Sequence, residues 1–84
     1  MNRRKLLQKL SQGDFRNVSF ADIVSLVTGF GFTLKRTKGS HHIFAHPDIP
    51  EMINLQEVAG EAKPYQIRQF LRLIEKYNIK LEDT

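Results

Sequence analysis

Gly31-Phe32-Thr33-Leu34-Lys35-Arg36-Thr37-Lys38-Gly39-Ser40-His41-His42-Ile43-Phe44-Ala45-His46-Pro47 is the stretch whose reading decides the fold. Phe32, Leu34 and Arg36 alternate with Thr33, Lys35 and Thr37, the period of two that gives a strand one apolar and one polar face. Lys38-Gly39-Ser40 is a tight turn, and a second strand follows from His41 to His46. After the Pro47-Asp48-Ile49-Pro50 loop, a third short strand is expected at Met52 to Gln56.

Helices flank these strands. Ser19 followed by Asp22 resembles a capping box, and Phe20, Ile23, Val24, Val27 and Phe30 then fall on one apolar stripe that Gly29 and Gly31 terminate. Lys63-Pro64 opens a last helix, with proline at the first position where its missing N–H costs nothing. Ile67, Phe70, Leu71, Ile74 and Tyr77 form its buried stripe, leaving Arg68, Arg72 and Lys76 along an exposed ridge. The aromatics Phe44 and Tyr65 are read as core residues rather than as platforms for a base. Leu6, Leu7 and Leu10 predict one further helix over residues 3 to 11, expected as a loosely docked appendage. The expected architecture is α+β: helix, three antiparallel strands, helix, with both helices on one sheet face and an extra N-terminal helix. One domain over residues 1–84 is expected, with a core at 19–79 and an extension at 1–18.

Composition narrows the function classes. Eighty-four residues with 40% apolar content support one two-layer core and no separate cofactor domain. The absence of cysteine excludes disulfides, thiolate metal sites and thiol nucleophiles. The basic start Arg3-Arg4-Lys5 runs into Leu6-Leu7-Gln8-Lys9-Leu10, where polar residues interrupt any apolar run, so neither a signal peptide nor a membrane span is expected. A soluble, cytoplasmic protein is the corresponding expectation. The net charge of +4 favours an anionic partner. No acid lies between Asp22 and Asp48, a gap containing Lys35, Arg36, Lys38 and all three histidines. A second basic set, Lys63, Arg68, Arg72, Lys76 and Lys80, is opposed only by Glu75 until Glu82-Asp83.

The three histidines admit several readings. On a strand, His41 and His42 point to opposite faces, while His42 and His46 share a face about 13 Å apart at roughly 3.3 Å per residue. Zinc needs nitrogens about 2 Å from its centre, so an intrachain metal site is not expected. Half-buried histidines with satisfied hydrogen bonds are the default for His42 and His46. His41 fits that default less well, because it follows a Gly-Ser turn able to face an anion, beside Lys35, Arg36 and Lys38. Histidine titrates near neutral pH, so one such side chain can support RNA cleavage without a metal. It takes the 2′-hydroxyl proton or returns one to the leaving 5′-oxygen, while cations stabilise the phosphorane. There is no nucleophile elbow, phosphate-cradling glycine loop or carboxylate pair near the histidines, which disfavours a glycosidase or acyl hydrolase.

At Gly39-Ser40-His41-His42-Ile43-Phe44-Ala45-His46-Pro47, with Gly31-Phe32 before it and the Lys63-Pro64 helix after it, the chain resembles the HicA toxin family of bacterial toxin–antitoxin systems over about residues 19 to 79. The resemblance implies a fold like the double-stranded-RNA-binding domain, and activity as an mRNA interferase, an endoribonuclease needing no metal or other cofactor. It implies mRNA as substrate, a HicB-type antitoxin as partner, and His41 as the catalytic histidine. Gly39 and Ser40 then shape the turn, Lys35, Arg36 and Lys38 hold phosphate, and Arg68 and Arg72 are more distant RNA contacts. The third strand reads Ile53-Asn54-Leu55-Gln56 where many family members carry a Pro-x-His stretch. The alternatives are a non-catalytic RNA- or DNA-binding module of the same fold, and a protein-interaction domain whose basic patches meet an acidic partner.

Overall fold

The computed structural model describes residues 1–82. Asp83, paired above with Glu82 in the charge pattern, lies outside the described residues. The chain runs α1 (Arg3–Ser11), α2 (Phe20–Gly29), β1 (Thr33–Lys38), β2 (His41–Ala45), β3 (Ile53–Val58), β4 (Glu61–Ala62) and α3 (Pro64–Lys76). The strands form one antiparallel sheet in the order β1-β2-β3-β4.

Local chemistry sets most of these boundaries. Asn2 Oδ1 accepts from the Lys5 amide at 2.8 Å, and Ser19 Oγ accepts from the Asp22 amide at 3.1 Å, so α1 and α2 both start on side-chain caps. Such a cap contributes about 1 kcal/mol. Pro64 opens α3 as its position predicts. Between β1 and β2 only Gly39 of the two-residue loop takes the left-handed region (φ 59°), as the first central position of a type II′ turn requires.

Alternation along β2 and β3 sorts residues between the two sheet faces. Phe44 pairs with Ile53 and His42 with Leu55, which places all four on one face; Phe44, Ile53 and Leu55 are buried there. The rings of Phe20 in α2 and Phe70 in α3 pack over this face, against His42 and Phe32 respectively. His41, Ile43, Asn54 and Gln56 alternate onto the opposite face, where they are half-buried and no helix covers them. Both helices therefore lie on one side, and the expected α+β architecture is the one observed.

Four departures have physical causes. β4, absent from the sequence expectation, forms because Ala59 and Gly60 both take positive φ (51° and 79°) and fold β3 back in a two-residue hairpin. Ala-Gly lacks the Asn-Gly or Asp-Gly signature of that turn. β1 shows no apolar face: all six of its residues are exposed, Leu34 at 51%. It is the edge strand, and its register shifts between Leu34 and Arg36, leaving Lys35 as the extra residue of a bulge. On α2, Leu26 is fully buried while Val24 is only half-buried. α1 packs against the side of α2, so α2 buries a wider arc than a helix touching the sheet alone. Finally, α1 is not a loose appendage, since Leu6 and Leu10 retain 2% and 1% exposure within the main buried cluster. Beyond α3, Ile79 and Leu81 pack on the cluster, and the Glu82 amide donates to the Gly29 carbonyl at 2.8 Å. No helix among the described residues is long and apolar enough to cross a membrane.

Candidate active site

β2 separates the three histidines by direction and by partner. His42 faces the helix layer, where its ring lies 4.7 Å from Phe20 and its Nδ1 donates to the Ser40 carbonyl oxygen at 3.0 Å. His46 sits just beyond the strand, edge-on to Phe32 at 5.1 Å, with Nδ1 accepting from the Asp48 amide at 3.0 Å. Each has a ring packed on an aromatic and a nitrogen committed to the backbone. His41 instead lies on the open face, opposite Gln56 and diagonal to Asn54.

His41 Nδ1 is 3.3 Å from Asn54 Oδ1 and 3.2 Å from Asn54 Nδ2. The amide can therefore meet either tautomer. Oδ1 accepts when Nδ1 carries the proton, which leaves Nε2 as a lone-pair base in the neutral ring and as an N–H acid in the imidazolium; Nδ2 donates to a bare Nδ1 in the other neutral tautomer. Among the described residues, Nε2 has no hydrogen-bond partner and is the nitrogen left for a ligand.

The basic side chains predicted for this site divide into two groups. Lys38 pairs with His41 across the hairpin and Arg36 with Ile43, so both share the open face with His41, while Lys35 occupies the bulge. Among the described residues, none of these three cations takes part in a salt bridge. The stretch free of acids in sequence is not free of them in space: the Glu57 amide donates to the Ser40 carbonyl at 3.1 Å, bringing an acidic residue to the turn. Arg68 and Arg72 are not brought to this face. Both are on α3, behind the sheet, and the Arg68 guanidinium stacks over the Phe15 ring at 4.8 Å. Arg72 borders a groove with Glu51, Met52 and Lys76. Lys76 pairs with Glu51 at 3.3 Å, and the Tyr77 hydroxyl donates to the same carboxylate. The Tyr77 hydrogen bond, and after it the Lys76 ammonium, hold the Glu51 carboxyl below its ordinary range.

Sequence reading missed three residues at this end of the sheet. Asn54 and Gln56 were legible as polar residues alternating with Ile53 and Leu55, the mark of a strand face without a cover. Tyr65, expected in the core, is 53% exposed, whereas Phe44 is buried as expected. The buried Gln66 explains the difference. Its Oε1 accepts from the Gln56 amide at 2.6 Å and its Nε2 donates to the Tyr65 hydroxyl at 3.3 Å, which pins the start of α3 to β3 with Tyr65 turned outward.

Against known protein families, residues 20–75 match the family described as the HicA toxin of bacterial toxin–antitoxin systems. The match spans the segment from the first residue of α2 nearly to the end of α3, and leaves α1 outside it. No curated protein and no solved structure matches the chain.

Proposed function

The chain belongs to the HicA toxin family, and from that premise we propose that it is a metal-independent mRNA interferase in which His41 performs proton transfer. The observation that carries this reading is the inequality of the histidines: among the described residues, only His41 offers an uncommitted ring nitrogen on the open sheet face. Asn54 is a positioning residue whose Oδ1 accepts from Nδ1–H and so keeps the ring oriented in both its neutral and its protonated form. Arg36 and Lys38 flank the position of the scissile phosphate, Lys35 adds charge at the bulge, and Gly39 and Ser40 set the turn from which β2 starts.

In the reaction, the 2′-oxygen loses its proton and attacks the adjacent phosphorus, the bond to the 5′-oxygen breaks, and that oxygen is protonated. The products are a 2′,3′-cyclic phosphate and a 5′-hydroxyl. His41 Nε2 supplies one of the two proton transfers, and the cations of the hairpin stabilise the pentacoordinate phosphorus. Arg68 and Arg72, behind the sheet, are left out of this site.

RNA incubated with the purified protein in excess chelator tests the reading. Fragments ending in 2′,3′-cyclic phosphate are expected with the wild type and not with His41→Ala. Equal cleavage by both proteins, or intact RNA with both, would overturn it. RNA binding by both without cleavage would transfer the chain to the non-catalytic binding modules.

A further inference from the structure

β1 is an edge strand, and beside it runs a groove of about 520 Å³ between the strand and α2. Its walls include Phe20, Ala21, Val24, Thr28, Phe32 and Leu34; His42 also lines it, and no lysine, arginine or carboxylate does. Leu34 projects from it 51% exposed. The outer side of α2 is equally unusual. Asp22 is the one charged residue in the helix, and Ala21 and Thr28 are exposed with half-buried Val24 between them. A solvated helix normally carries charge on that side, and a helix that is uncharged nearly all round is normally covered. An apolar trough flanked by a helix and an unpaired strand edge is the geometry that receives an extended peptide as an additional strand. Backbone hydrogen bonds supply affinity, and alternate side chains fill the trough.

We infer that this groove and the outer edge of β1 bind an extended segment of the HicB-type antitoxin, apolar at alternate positions and acidic where it passes Lys35, Arg36 and Lys38. The identity of the partner rests on the toxin reading above; the groove itself does not. Charge selects this occupant over two others. A second copy of the chain, adding its own β1, would set the same three cations against each other, and basic side chains on an edge strand disfavour such self-pairing while favouring an acidic strand. RNA would find no lysine or arginine on the groove walls to meet its phosphates, and the one histidine there, His42, has its Nδ1 turned to the Ser40 carbonyl. A bound acidic strand would also neutralise the Arg36 and Lys38 side chains that flank His41, coupling docking at the edge to loss of RNA from the open face.

The experiment measures affinity between the purified chain and a HicB-type antitoxin. The wild type is compared with Leu34→Glu and Thr28→Glu, both exposed positions outside the proposed active site, with thermal melts as the check on folding. Each substitution is expected to weaken antitoxin binding about thirtyfold, as when charge replaces an apolar anchor. RNA cleavage by each free variant is expected to match the wild type, and the amides of residues 33–38 should exchange more slowly in the complex. Wild-type affinity in both variants, unchanged amide exchange along β1, or no binding by the wild type would each overturn the inference. Lost RNA affinity in the two variants would also overturn it and assign the groove to nucleic acid. Failure of the toxin reading is seen separately, as intact RNA with the wild-type protein.

Discussion

The β1–β2 hairpin and the outer ridge of α3 carry similar densities of positive charge, yet they are chemically different regions. On α3, Arg68 stacks on Phe15 and Lys76 pairs with Glu51, so two of the three ridge cations have structural partners. On the hairpin, Arg36 and Lys38 flank an imidazole nitrogen that has no partner, and neither forms a salt bridge among the described residues. A basic cluster in sequence is thus two different things, cations already engaged in holding the fold and cations available to an anion. Contacts distant in sequence decide which, since Phe15 and Glu51 lie far from the arginine and the lysine they meet.

Substitutions can break or sharpen that contrast. The largest effect is expected from His41→Ala, which should lower the cleavage rate about 10²- to 10⁴-fold, the usual worth of a proton-transfer group, while RNA affinity stays near that of the wild type. Next, combining Arg36→Gln with Lys38→Gln should weaken RNA binding about tenfold and flatten its salt dependence by roughly 0.7 per phosphate contact removed. Arg68→Gln with Arg72→Gln should leave both quantities unchanged and instead lower the melting temperature, because a cation–π contact of about 0.5–1 kcal/mol is lost. If the two pairs behave alike in RNA titrations, the distinction between the regions fails. Asn54→Ala should reduce kcat severalfold with little change in KM, since it releases the orientation of His41 without removing a phosphate contact; an unchanged kcat would deny it a positioning role.

The smallest effect is expected on the α3 side. Tyr77→Phe removes the hydrogen bond that does most to lower the Glu51 carboxyl. A depressed carboxylate contributes stability above its unfolded pKa and loses it as pH falls through the folded value. The wild type should therefore melt slightly above Tyr77→Phe at neutral pH, and the gap should close in acid. RNA cleavage should not change at any pH where both are folded.

Helix and strand placement was largely legible because local signals agreed. The Ser19 cap, Pro64 at the start of α3, Gly39 in the hairpin and the apolar stripes all point to the observed elements. The misreadings share one cause, that burial depends on what lies above a residue. Leu34 alternates correctly for a core position but sits on an uncovered edge, and Tyr65 follows the helical pattern but is turned outward by the Gln66 bridge to β3. β4 was hidden because its turn uses Ala59 in a left-handed conformation that alanine seldom adopts. At the candidate site, His41 and the hairpin cations were legible, whereas Asn54 could be recognised only as an open-face polar residue and not as the partner of an imidazole thirteen positions earlier.

By itself the sequence determined the α+β element order, the basic character of the chain and the Gly-Ser-His turn, because caps, turns and periodicity act between residues a few positions apart. Tertiary structure alone decided which histidine lies on the open sheet face, which cations are available, and that an apolar groove lies open beside β1. Those properties arise from the pairing register and from helices packing on one face, and they depend on contacts between residues that the chain holds far apart until it folds.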